Sequence, residues 1–551
     1  MTAGEPNHDP LPPVSRVRSL VFAQSAAGPW RWGAGLRAAA AVGIPGAGMV
    51  AAGHGSSALF ATFGAFAVLY GEGRAYRIRA QVVGIAGIAL LLSVIVGTAL
   101  GSVIPESSVP IRIASVLMVV VPAVLAVYVV DALRLGPPGA LFFALVGSGA
   151  VIATEAGAGA ASLVVGTALG VVSSVVVSMA GALRDPSRPQ REAVNRAVGA
   201  VDAYLAPDGA RTATQRNAAG SALIAAWSTM DDARAGARSA DAPLLERLRD
   251  ANHRFTATQV DTVESAGVDP TREVTTSTMR PSIGHRLRRS LTMSSHAMVT
   301  AVRVGVACTA AGAASLALGF DRPHWAAISA LVVLQSGVDR VHGTVRGLQR
   351  FMGTAVGLAL YAALYGLGPT GYALIAIVAV LQFCIEMMIT RNYAAAVTFI
   401  TPVALMASGA GATTGSAGPV IRDRLLETVI GVIVAFLAMY FLYPNTHRRT
   451  FEWTAQRVRS TALALVDRPD EVGAEPAREQ ARCLHFEVEG CVRAGIDSAH
   501  NEPEWTDQHW PAQARLVHSG YDLLSAFWTA PHDRPLLDGA AWKQRFGNGR
   551  E

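Results

Sequence analysis

The chain has 551 residues, 51% of them hydrophobic and 16% charged, with a formal net charge of +6, and its mean hydropathy is +0.35. Soluble domains average about 25% charge, so this composition excludes an ordinary soluble protein and places the chain in a lipid bilayer. The arginines flank apolar runs instead of clustering with aromatics, which excludes nucleic acid as a partner, and Lys543, the only lysine, excludes a P-loop and a Schiff-base lysine in the membrane.

Residues 1–32 are polar and Pro-rich, lack the short apolar core of a signal peptide, and read as a cytosolic tail. Residues 33–181 follow as a first transmembrane repeat, with apolar runs at 34–52, 58–70, 82–103, 111–130, 140–153 and 161–181. The runs near 13 residues are short for a span and suit burial among neighbouring helices or a re-entrant path. Residues 182–298 are a soluble segment with helical periodicity. Residues 299–443 repeat the rhythm, with runs at 299–319, 325–334, 351–366, 372–389, 393–410 and 425–442, and residues 444–551 form a second soluble helical segment.

The expected fold is therefore an all-α membrane protein of two tandem six-helix transmembrane repeats, each followed by a cytosolic helical segment that forms a small bundle. An even number of spans inserts both repeats the same way round, leaving a path between them. The excess of basic residues, Arg74, Arg77, Arg79, Arg134, Arg286, Arg346, Arg391 and Arg448 among them, puts both termini in the cytoplasm. Arg112, Arg322, Arg422 and Arg424 count as outside residues of a plasma-membrane protein. The soluble segments carry mixed charge and no motif, which suits a scaffold or a contact in a homo-oligomer.

Small-xxx-small patterns recur at Gly97/Gly101, Gly166/Gly170 and Gly353/Gly357, the signature of closely packed helices. A charge at the centre of a span costs about 2.5 to 3.5 kcal/mol, so each one needs an escape to the interface or a function. Arg37 and Arg303 hold matching positions near the starts of the first and seventh spans, where they either snorkel or line an anion path. Asp131 with Arg134, and Glu386 with Arg391, close the fourth span of each half. Glu386 suits either an ion pair with Arg391, Arg303 or Arg346, or a proton-coupling role. The loop after each second span is basic, with Arg77 in one half and Arg346 and Arg350 in the other. It serves either as a topological signal or as a funnel for anions. Thr401-Pro402 marks a kink or a break where freed backbone groups meet a ligand. Cys483, His485 and Cys491 fit no zinc spacing, so no metal and no cofactor are expected.

In the second half the motifs Arg340-Val-His-Gly-Thr-Val-Arg346, Arg350-Phe-Met-Gly-Thr354, Glu386, Arg391-Asn392-Tyr393, Phe399-Ile-Thr401-Pro402 and Arg424 with Glu427-Thr-Val-Ile-Gly431 resemble the fusaric acid resistance protein-like (FUSC) family. That family is related to aromatic acid exporters and, more distantly, to plant aluminium-activated malate channels. The first half departs from the pattern: Arg134-Leu-Gly replaces Arg-Asn-Tyr, and nothing corresponds to residues 422–427. The resemblance implies proton-driven export of aromatic or other organic acids. The duplicated basic loops and intramembrane charges add the expectation that Arg303, Arg346 and Arg391 attract the carboxylate and Glu386 carries the proton. A passive anion channel and a noncatalytic scaffold in envelope assembly are the rival readings. An enzyme is not expected, since the spans hold no catalytic constellation.

Overall fold

The computed structural model describes the chain apart from residues 1–8, 13–30, 104–108, 137, 208–210, 236–238, 261–279, 336, 410–415, 469–470, 531–535, 537–538 and 548–551. Most of the tail 1–32 thus lies outside the described residues, as does Pro137. Every apolar run read from the sequence is a helix. The first half contains α1 (Trp32–Ala51), α2 (Gly55–Leu69, part α and part 3-10), α3 (Tyr76–Val103), α4 (Val109–Leu133), α5 (Leu141–Glu155) and α6 (Ala160–Met179). The first soluble segment forms α7 (Arg188–Leu205), α8 (Ala213–Ala233), α9 (Ala242–Val260) and α10 (Ile283–Arg289). The second half contains α11 (His296–Ala317), α12 (His324–Leu334), α13 (Arg340–Leu367), α14 (Gly371–Met388), α15 (Tyr393–Ala407) and α16 (Ala417–Phe441). It is followed by α17 (Thr446–Val466), α18 (Glu475–Asn501), α19 (Pro503–Thr529) and α20 (Gly539–Gly547).

Eight helices, α1, α3, α4, α6, α11, α13, α14 and α16, are long and apolar enough to cross a membrane. The other four, α2, α5, α12 and α15, are the second and fifth of each half and are too short to count as spans by length. The 11 residues of α12 rise about 16 Å, roughly half of a hydrocarbon core of about 30 Å. Burial separates the two sets. Every residue of α12 is buried, and among the described residues no large exposed hydrophobic comes from a short helix. Leu36, Ile88, Leu125, Val172, Val380 and Leu437 of the long helices instead face outward. Long helices make an apolar shell, and short helices fill it.

The two halves pack alike. The pairs α3·α5, α3·α6, α2·α6 and α1·α6 are matched by α13·α15, α13·α16, α12·α16 and α11·α16. The fourth helix of each half instead lies against the first helix of the other, α4 on α11 and α14 on α1, so each half is braced by the other. Glycine permits the tightest crossings. A Cβ on Gly97 would lie 2.3 Å from the Gly147 carbonyl oxygen, and one on Gly353 would lie 2.4 Å from that of Ala394. These are the same contacts, α3 on α5 and α13 on α15, which is the close packing the glycine pattern implies.

The soluble segments, expected to form a small bundle each, share one hydrophobic core. Val194 and Val201 of α7, Leu223 of α8, Leu248 and Phe255 of α9, Val458 of α17, Leu484 and Val488 of α18 and Tyr521 of α19 belong to a single buried cluster. Amphipathic periodicity shows that each helix has an apolar face and leaves open which helix covers it. The shared domain is fastened to the membrane helices by arginines. Arg134, at the end of α4, donates to Glu489 (3.0 Å) and lies 3.6 Å over the Phe486 ring. Arg286 donates to the Leu133 carbonyl (3.0 Å) and Arg74 pairs with Asp232 (2.8 Å).

Candidate substrate site

The four short helices enclose a narrow cavity between the halves. Phe63 and Phe66 of α2, Ser148 of α5, Trp325 of α12, Leu405 of α15 and Arg424 of α16 are among the side chains that line it. Arg424 is its ionisable wall. It is 3% exposed, its guanidinium lies 4.6 Å over the Trp325 ring, and its Nε and Nη1 have no hydrogen-bond partner. A buried guanidinium with idle donors costs free energy unless an acceptor arrives. One turn on, Glu427 is fully buried. Its Oε1 accepts a hydrogen bond from Ser315 Oγ (2.9 Å) while Oε2 has no partner. Arg350 of α13 is 2% exposed, acts electrostatically on Arg424, and also has a buried Nε without a partner. The equivalent helix of the first half, α6, has no ionisable residue from Ala160 to Met179, so the charge at the cavity comes from one half.

The residues singled out from the sequence are distributed otherwise, and none of them lines this cavity. Arg303 is 1% exposed and caps α16, donating to the carbonyls of Leu442 (3.1 Å) and Tyr443 (2.9 Å) and to Thr446 Oγ1 (3.3 Å). Arg37, its counterpart by position, pairs with Glu72 (3.4 Å). Glu386 is buried and lies 3.6 Å from Arg31, which also pairs with Glu72. The partner of Glu386 therefore comes from the start of α1 and is not Arg391, Arg303 or Arg346, because α14 packs on α1 across the halves. Arg77 donates to the Asp232 carbonyl (2.6 Å), so that part of the basic loop fastens α8. Arg346 lies 3.8 Å over the ring of buried Tyr393. Asn392 caps α15 by accepting from the Ala395 N–H (3.1 Å), Thr401 donates to the Val397 carbonyl of its own helix (2.9 Å), and Arg391 is half-buried at the turn before α15. Cys483 and Cys491 are free and buried, with thiols pushed up to about 12 by burial.

Arg424 and Glu427 are the pair that sequence reading missed as site residues. Arg424 counts as an outside flank by position, yet it lies seven residues into α16, about 10 Å along the axis. The available signal is the spacing Arg424-x-x-Glu427 within an apolar run, which puts opposite charges on one helix face where both cannot snorkel.

Residues 309–438, from within α11 to within α16, match the family described as fusaric acid resistance protein-like. The match is confined to this segment of the second half, about a quarter of the chain. The fusaric acid resistance protein-like segment contains Arg350, Trp325, Arg424 and Glu427, and its limits leave out Arg303. The chain is 29% identical over 265 residues to the uncharacterised membrane protein YvaC of Bacillus subtilis (strain 168), a stretch covering 46% of this chain and 39% of that protein. It is 28% identical over 160 residues to the uncharacterised protein YhfK of Escherichia coli (strain K12), covering 29% and 22% respectively. The chain therefore matches well under half the length of each of these relatives. No solved structure matches it.

Proposed function

We propose that the chain is a secondary transporter exporting aromatic or other organic acid anions across the plasma membrane, with both termini cytoplasmic and the halves acting as tandem six-helix repeats. The observation that carries this reading is Arg424, buried between the halves with idle donors in a cavity walled by Phe63, Phe66 and Trp325. A guanidinium donor fork beside aromatic rings is complementary to a carboxylate on an aromatic ring. The fusaric acid resistance protein-like match supports the same substrate class. Arg346 and Arg350, on α13, extend positive charge from the soluble-domain side towards Arg424.

Glu427 is the proton carrier in this scheme, in place of Glu386, which is engaged with Arg31. An anion on Arg424 and a proton on Glu427 enter together without changing the net charge of the buried pair, because the carboxylate's charge and the proton's cancel. In liposomes containing the purified chain, outward flux of a panel of aromatic carboxylates should follow an imposed pH gradient. Flux that survives collapse of that gradient and follows voltage would make the protein a channel, and absence of flux for every carboxylate would refute transport of this class.

A further inference from the structure

Away from the cavity, three side chains from distant parts of the sequence converge where α13 meets α18. Asp339 caps α13, its Oδ1 accepting the backbone N–H groups of Val341 (2.8 Å) and His342 (3.2 Å). Its other oxygen, Oδ2, lies 2.5 Å from Nδ1 of His342 and 2.7 Å from Nδ1 of His500 in the last turn of α18. One ligand atom from each of the three lies within 4.8 Å of the others. The side chains of Asp339 and His500 are both 6% exposed, whereas that of His342 is 50% exposed and leaves an entry from solvent.

The sequence carries the same pattern twice here, Gly337-Val-Asp339-Arg-Val-His342 and Gly495-Ile-Asp497-Ser-Ala-His500. The three-residue step puts acid and imidazole on one helix face in each copy. Asp497, a turn before His500, adds a carboxylate whose Oδ2 is buried without a hydrogen bond, 3.4 Å from His296 Nδ1.

We propose that Asp339, His342 and His500 bind a divalent transition-metal ion of the zinc class, fastening the start of α13 to the soluble domain. Two imidazoles and one carboxylate are the donor set of three-ligand zinc sites with an open fourth position, whereas calcium and magnesium prefer all-oxygen sets. With bonds of about 2.0 to 2.1 Å, a tetrahedral ion holds its ligand atoms about 3.3 Å apart. Loading therefore requires each nitrogen–oxygen pair to open by under about 1 Å and brings the two imidazole nitrogens, within 4.8 Å of each other, to the same spacing, a movement the half-exposed His342 can make. The ion would tie down the helix carrying Arg346 and Arg350, and so joins the soluble domain to the charged face of the membrane half.

The test is titration of the chelator-treated full-length protein in detergent with Co²⁺, followed by ligand-field absorption and then Zn²⁺ competition. One equivalent should bind with the intense bands of a low-coordinate site. His342→Ala, at a half-exposed position that the fold tolerates, should weaken binding by about 100-fold or more, since even outer-shell changes cost about 10- to 100-fold. His500→Ala should do the same, and exposed His54→Ala should have no effect. The proposal is overturned if the wild type shows no cobalt band at several-fold excess of metal. It is equally overturned if His342→Ala and His500→Ala both bind with wild-type affinity, which would leave the trio as two imidazole donors on one carboxylate oxygen.

Discussion

A guanidinium buried among apolar helices needs acceptors, and Arg303 and Arg424 meet that need differently. Arg303 donates from Nε and Nη2 to the carbonyls that end α16, with Nη1 left over, whereas Arg424 leaves both Nε and Nη1 idle. Arg303→Gln is therefore expected to lower stability by about 1.5 to 3 kcal/mol for each charge-assisted bond lost, read as an earlier thermal transition in detergent, without altering substrate preference. Arg424→Gln loses no bond at Nε or Nη1, so its effect on that transition is confined to the contact with Trp325 and the charge facing Glu427. From sequence alone, Arg37 and Arg303 look equivalent. Their difference depends on carbonyls about 140 residues downstream, which no local pattern reveals.

Glu487 in the soluble domain makes the pH-dependent case. It is fully buried, with Arg289 on both carboxylate oxygens and Arg457 on Oε1 (3.1 Å). Burial acts to raise its pKa, but the hydrogen bonds and charge of Arg289 and the charge of Arg457 outweigh it and hold the carboxyl below its ordinary value. A carboxyl with a lowered folded pKa stabilises the fold above its unfolded value, near 4.3, and loses that contribution as pH falls through the folded one. Glu487→Gln should cost about 3 to 5 kcal/mol at pH 7, and the gap to wild type should narrow as pH drops through the carboxylate range. A gap independent of pH in unfolding measurements would contradict this.

Among the elements, the glycine crossings follow most directly from sequence. Gly353 stands where α13 approaches the α15 backbone, and Gly353→Val is expected to cost at least the roughly 1 to 3 kcal/mol of an overpacked contact, measurable by thermal unfolding in detergent. A variant as stable as wild type would contradict the approach distance. The twelve apolar runs are equally legible, because both lipid and core demand apolar side chains. Their division into shell and filling is less so. The shortness of α12 can be counted in residues, but burial on all its sides is a property of α11, α13 and α16 around it. That difference is what turns the second and fifth runs of each half from expected spans into the wall of a cavity.

Across the whole molecule, two exchanges hold the chain together. The fourth helix of each half packs on the other half, and the two soluble segments complete one core. Removing residues 444–551 should therefore expose the apolar faces of α7, α8 and α9, and limited proteolysis should cut within residues 182–298 that resist in the intact protein. Survival of that segment would mean that it folds alone. Neither exchange is written in periodicity, which gives each helix a face and not a partner. The site suffers likewise: Arg424 and Glu427 stand in the second-half motifs with nothing to mark them as site residues, and only the assembled halves bring Arg424 to Phe63, Phe66 and Ser148 of the first. The most direct measurement is gradient-driven efflux of an aromatic carboxylate from liposomes containing wild type, Arg424→Gln, Glu427→Gln or Glu386→Gln at equal, folded amounts. Efflux should be lost in Arg424→Gln, uncoupled from the gradient in Glu427→Gln and retained in Glu386→Gln, whereas wild-type efflux by Arg424→Gln would contradict an anion path between the halves.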